Sequence, residues 1–173
     1  MALFQQSNQV AHMDWIELYN RTILLNFAII GGSVLVLWLI SIRVRDVSII
    51  DMAFASILLA VTCCGYYFGN GLQARKQLIL ALVAIWAFRI TLHLVRRNWG
   101  HGEDVRYSKL RSWVNDDQAF IWLSLRQVFL TQGVVLWLVS LPIQVALIYG
   151  APPELGWLAY VGAVICSAGI ILE

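Results

Sequence analysis

Ionisable side chains are scarce in this sequence, and several stand where hydrocarbon would be expected. Asp51 is the third residue of one apolar run, Arg89 and His93 lie near the end of another, and Gln132 lies inside a later one. A carboxylate, a guanidinium, an imidazole and an amide set in apolar surroundings can hold a proton, orient a carbonyl oxygen or border a wet cavity. A charged group at mid-membrane costs about 2.5–3.5 kcal/mol on insertion scales, so each requires a partner or polar space. Two partners suit Asp51. Ser48-x-x-Asp51 approximates a capping box, which would tie the carboxylate to the start of its own helix. Arg89, about 9 Å inside the end of its run by helical rise, could instead form an ion pair with it. At 100° per residue, Trp86, Arg89, His93 and Arg97 fall within an arc of about 80°, a stripe that should face the bundle interior or a polar cleft. His93 reads either as a hydrogen-bonded core residue or as a proton carrier. It makes a poor metal ligand, because His101 is eight residues away and no cysteine is near.

The most polar stretch runs from Arg96 to Asp117 and contains Arg97, Glu103, Asp104, Arg106 and Tyr107. Tyr107, Leu110 and Val114 recur at helical spacing with Lys109 and Arg111 beside them, which predicts a short helix lying on the membrane surface. Guanidinium groups in this density suit phosphate or carboxylate recognition. An ordinary charged loop, its ions paired for solubility, fits the same composition. Gly100-His101-Gly102 is no phosphate-loop signature, and the chain has no Gly-x-Gly-x-x-Gly.

These residues must be held by membrane elements. Of 173 residues, 60% are hydrophobic and 13% charged, and the mean hydropathy is +0.74; soluble domains carry about 25% charged residues. That excludes a soluble enzyme, a disordered tail and a nucleic-acid binder, and the net charge of +2 is too small to suggest a polyanion partner. Three cysteines in apolar runs make no disulfide framework. Crossing the hydrocarbon core takes about 20 apolar residues, and five runs approach that length: 22–42, 49–69, 77–95, 127–149 and 155–172. They are continuous and lack period-two alternation, so the expected class is an all-α, polytopic transmembrane bundle in contact with the lipid bilayer. Residues 1–21 form a polar N-terminal segment with no signal-peptide pattern, and 22–173 form a single membrane domain.

Basic residues set an expected orientation. With the N-terminus outside or lumenal, eight of them, including Arg43, Arg45 and the cluster in loop 96–118, face the cytoplasm, against three on the other side. A bacterial inner membrane and an endoplasmic reticulum both fit. The fifth run stops at Glu173 without a polar tail, which reads as a piece of a longer protein. Pro142 should kink the fourth span.

Arg45-Asp46-Val47-Ser48-Ile49-Ile50-Asp51, then Arg89, the block Glu103-Asp104-Val105-Arg106-Tyr107, Gln132-Gly133 and Leu141-Pro142 occur in this order. Together they resemble the N-terminal half of the DUF1295 membrane proteins, relatives of the steroid 5α-reductases, over roughly residues 40–173. The chain departs from the family pattern at Phe54-Ala55, where members often carry Trp-Gly. The resemblance implies a six- or seven-helix enzyme that uses NADPH to reduce a C=C bond conjugated to a carbonyl in a lipid-like substrate. A later Arg-His-Pro-type segment, outside this chain, would supply much of the nucleotide site. On that reading Asp51, Arg89, His93 and Gln132 line the substrate cavity. Arg97, Glu103, Asp104, Arg106 and Tyr107 close the cofactor mouth, and no metal is expected.

Two other readings fit the runs. A membrane methyltransferase of the isoprenylcysteine type shares the general architecture. A non-enzymatic scaffold or transporter subunit predicts that Asp51 and Arg89 satisfy each other with no cavity beside them.

Overall fold

The computed structural model describes residues 2–98, 102–114, 116–150 and 154–172, with side chains at Glu17 and from Asn20 onward. Among them the chain forms α1 (Ala2–Val44), α2 (Ile49–Phe68), α3 (Gln73–Asn98), α4 (Val105–Arg111), α5 (Asp117–Ser124), a π-helical stretch (Leu125–Leu130), α6 (Thr131–Ile148) and α7 (Trp157–Leu172). Four helical segments, Asn20–Val44, Ile49–Phe68, Gln73–Asn98 and Asp117–Ile148, are long and apolar enough to cross a membrane. The protein is thus an integral membrane helical bundle.

Helices occupy all five predicted runs, with instructive differences at their ends. The polar segment 2–21 continues into the first span as one helix. The fourth span begins ten residues before the expected 127, because Asp116 accepts a hydrogen bond from the Ala119 N–H at 3.3 Å and so caps a helix that starts at Asp117. Helix α7, in the fifth run, has 16 residues. That is about 24 Å at helical rise, short of a hydrocarbon core about 30 Å thick. Pro142 sits inside α6, which continues through it. A π-helical departure from regular winding lies upstream at Leu125–Leu130, where the Thr131 hydroxyl donates to the Arg126 carbonyl at 3.3 Å across the widened turn.

Contacts fix the directions of the spans. Asp51 meets Gln132, and Gly65 faces Leu147, so α2 and α6 run parallel. Val34 lies against Gly133 and Trp38 donates to the Ile121 carbonyl at 3.3 Å, so α1 runs antiparallel to the fourth span. Helix α2 is the hub, packing against α1, α3 and α6, while α7 packs on α3 and buries no residue fully. The core between α1, α2 and the fourth span is built from Ile30, Val34, Ile50, Val61, Phe129 and Leu136.

A close approach at Gly71 fixes the height of the α2–α3 turn against the end of α6. The Gly71 N–H donates to the Leu147 carbonyl at 2.9 Å, and a Cβ on Gly71 would stand 2.4 Å from that same oxygen. Gly71→Ala is therefore expected to push the α2–α3 turn off the end of α6. It should cost about 1–3 kcal/mol for overpacking. Gly162→Ala, where nothing lies within 4 Å, should be neutral or slightly stabilising through helix propensity. Thermal unfolding of both variants in detergent, followed by circular dichroism, checks the contrast.

Candidate functional site

The site is assembled on the turn between α1 and α2. Arg45 takes a left-handed backbone (φ 57) at the end of α1, and the Asp46 N–H returns to the Ser41 carbonyl at 3.3 Å, closing the helix in a Schellman arrangement. Asp46 then accepts from the Ser48 N–H at 2.8 Å and starts α2. Ser48 makes no side-chain cap. Its hydroxyl instead accepts the Asp104 N–H at 2.8 Å, so the expected capping box with Asp51 is not formed. The Val47 N–H donates to Glu103 at 3.2 Å. Two consecutive residues of the turn thus grip the residues that lead into α4.

Helix α4 carries its polar side chains back onto this turn. Asp104 caps it, accepting from the Arg106 N–H at 2.9 Å. Arg106 bridges two carboxylates, donating to Asp51 at 2.9 Å and to Asp104 at 3.1 Å. The buried Tyr107 hydroxyl donates to Asp51 at 2.9 Å, and Gln132 Nε2 donates to the same oxygen at 3.3 Å. Asp51, with a side chain 13% exposed, is thus the junction of α2, α4 and α6. Glu103 is taken by Arg111 through two bonds of 3.1 Å, and that guanidinium lies 3.9 Å from the centre of the Phe120 ring. Leu110 and Val114 pack against the apolar core, as the spacing of the short helix implies.

Asp51 and Gln132 also border a cleft of about 230 Å³ whose remaining walls are Phe54, Ala55, Trp86, Ile90 and Leu94. One end is polar and the walls are apolar and aromatic, as in sites that orient an apolar ligand by a few placed groups. A larger groove of about 340 Å³ between α1 and α6 is walled by side chains such as Phe27, Ile30, Leu35 and Val134. It carries no acid or base, so the smaller cleft is the candidate.

The expected stripe on α3 divides. Trp86 faces the cleft, but Arg89 does not pair with Asp51. It donates to the Ile170 carbonyl of α7. Similar depth constrained only height, whereas Arg89 lies 60° around the helix from Trp86 and turns toward α7. His93 is exposed, and neither it nor Arg89 lines the cleft. Arg97 reaches Asp104 at 3.5 Å and joins the α4 cluster. Gly100 and His101 lie outside the described residues. Among the described residues no three His, Cys, Asp or Glu side chains converge as metal ligands. Sequence reasoning noted Arg111 merely as a flanking charge and missed its bidentate hold on Glu103. The eight-residue separation across a helix cap gives no local signal for it.

The electrostatics of α4 follow from these bonds. The Arg106 side chain, then its backbone N–H, holds the Asp104 carboxyl down to about 2 from an ordinary 3.8. In turn Asp104 raises the Arg106 guanidinium above its usual value. Burial, then the Asp51 charge, pushes the Tyr107 phenol well above 10, so it stays neutral. A folded-state value below the unfolded one stabilises above the unfolded value and is lost as pH falls through the folded one. The Asp104 contribution is thus complete above pH about 4 and disappears toward pH about 2. Denaturation midpoints measured across that interval should fall more for the parent protein than for Asp104→Asn.

A family model described as "Protein of unknown function (DUF1295)" matches residues 37–173, more than half of the chain. The chain belongs to the DUF1295 family. The matched region contains all of the residues gathered around Asp51, including Ser48, Glu103, Arg106, Tyr107 and Gln132. No curated protein and no solved structure matches this DUF1295 protein.

Proposed function

We propose that this DUF1295 protein forms the substrate-holding part of a membrane reductase acting on a C=C bond conjugated to a carbonyl in a lipid-like molecule. The chemistry would be that of the steroid 5α-reductases. The observation that carries the reading is the cleft beside Asp51: its apolar walls end on a continuous chain of hydrogen bonds from Gln132 through Asp51 to Tyr107.

Each group has a task on this reading. Gln132 gives one amide hydrogen to Asp51 and has a second to offer a substrate carbonyl oxygen, where negative charge grows as the conjugated system accepts electrons. Asp51, on the cleft wall, would relay the proton that completes the reduction, accepting it from the neutral Tyr107 phenol behind it as it passes it to the substrate. Phe54, Trp86 and Ile90 exclude water from the reacting bond.

NADPH, when bound, would supply the hydride. Arg97 fits its phosphates best, its side chain 50% exposed and met by Asp104 alone among the carboxylates, at 3.5 Å, whereas Arg106, 64% exposed, has only the part of its guanidinium that its bridge to Asp51 and Asp104 leaves free. Glu103, Asp104 and Tyr107 do not fit, because their polar atoms are engaged with Arg111, Ser48, Arg106 and Asp51. Those three support the site from within. The scaffold reading is disfavoured, for it required Asp51 and Arg89 to satisfy each other with no cavity beside them.

The test is NADPH consumption by the complete gene product in lipid vesicles supplied with an α,β-unsaturated ketone on a lipid skeleton. The expected result is a saturated product in step with NADPH oxidation, lost in a folded Gln132→Leu protein. Folded protein that leaves such ketones untouched would sink the proposal.

A further inference from the structure

A second buried polar cluster lies toward the other end of the same bundle, away from the cleft. Thr22 and Asn26, one turn apart on α1, are 1% and 0% exposed, and Ser140 and Gln144, one turn apart on α6, are both 0% exposed. Phe27 packs edge-on against Trp137 with ring centres 6.4 Å apart. Since α1 and α6 run antiparallel, that contact sets Thr22 and Asn26 level with the turns carrying Ser140 and Gln144. Gln132 lies twelve residues away along α6, about 18 Å by helical rise.

The hydrogen bonds in this cluster do not close. Gln144 Nε2 donates to the Ser140 hydroxyl at 2.7 Å, and that hydroxyl donates to the Trp137 carbonyl at 2.8 Å. Thr22 Oγ1, both polar atoms of the Asn26 amide, Trp137 Nε1 and Gln144 Oε1 are buried with no hydrogen-bond partner among the described residues. Leaving a buried donor or acceptor unmet costs about 1–3 kcal/mol each, so five together rival the whole stability of a typical fold, about 5–15 kcal/mol.

We infer that this seam between α1 and α6 is an internal water-binding site. The chemistry of the unmet atoms selects the ligand. Asn26 needs a donor for Oδ1 and an acceptor for Nδ2, and Trp137 Nε1 also needs an acceptor. A cation would meet only the oxygens and an acyl chain none of them. Water gives and accepts, and buried waters make about three hydrogen bonds to otherwise unmet groups. The site does not depend on the proposed reductase chemistry.

Radiolytic labelling tests this in the complete gene product in lipid nanodiscs, with H2-18O as the probe. Hydroxyl radicals form from bound water and oxidise the side chains beside it, read by peptide mass spectrometry. Trp137 is expected to take up label several-fold above Phe88, which is 73% exposed on α3, after correction for intrinsic reactivity. Asn26→Leu and Gln144→Met, the latter conserving volume, should each lower the Trp137 label while helical content is kept. Trp137 label at the Phe88 level in the parent protein overturns the site, whether or not either variant folds. Label that persists undiminished in folded variants overturns it equally.

Discussion

Asp51→Leu is expected to loosen α4 from the bundle and, on the proposed reductase chemistry, to cut turnover by about 10²–10⁴-fold, the range lost with a positioned proton-transfer group. Three donors converge on this carboxylate. Arg106 is 64% exposed and keeps Asp104, so its share of the stability loss is small. Tyr107 and Gln132 are less fortunate. The buried phenol and the half-buried amide lose their acceptor, at about 1–3 kcal/mol for each donor left without a partner. Asp51→Asn separates structure from chemistry. Its side-chain oxygen can still accept from Tyr107, so most of the stability should remain, but no carboxylate is left to hold a proton. Denaturant midpoints together with NADPH turnover decide the matter. An Asp51→Asn protein with parental turnover would reduce Asp51 to a structural clamp.

On the proposed chemistry, inserting one alanine after Gln127 is expected to abolish turnover, whereas Gln127→Ala should preserve it. Gln127 is exposed within the π-helical stretch, so its side chain matters little and its backbone matters a great deal. The wide turn already absorbs one residue more than an α-helical turn holds, so a second one rotates everything beyond it by about 100° relative to α5. The bundle must then give up one set of contacts. If α5 stays against Trp38, Gln132 leaves Asp51, Gly133 leaves Val34 and fully buried Leu136 turns outward. If α6 stays, Trp38 loses the Ile121 carbonyl and Phe120 leaves the Arg111 guanidinium. Hydrogen exchange of α4 and α5 amides distinguishes these outcomes, and an insertion protein with unchanged turnover would show that α5 and α6 need no fixed register.

Much of this architecture was legible because its causes are local. Apolar run length located the helices, and helical spacing of Tyr107, Leu110 and Val114 located α4. Gln132 and Asp51 were readable as buried polar groups needing partners. Which partners they chose was not. Two residues at similar depth on adjacent helices can still point apart, and Arg89 points to α7 while Arg106 comes from outside the spans to reach Asp51. The early start of the fourth span was hidden because Asp116, Asp117 and Arg126 read as loop charges until Asp116 is seen capping a helix. No residue pattern announces the π-helical stretch; its winding is decided by what α5 and α6 must each touch.

The turn at 45–48 also has a bearing on the order in which the protein is made. The first two spans precede in synthesis the residues that, in the folded protein, occupy the Val47 N–H and the Ser48 hydroxyl at their corner. Glu103 and Asp104, 56 residues downstream, are what finally occupy them. Synthesis therefore completes these two spans long before their corner is sealed, and the arrival of α4 works as a late latch, joining the first-made part of the bundle to α6 through Asp51.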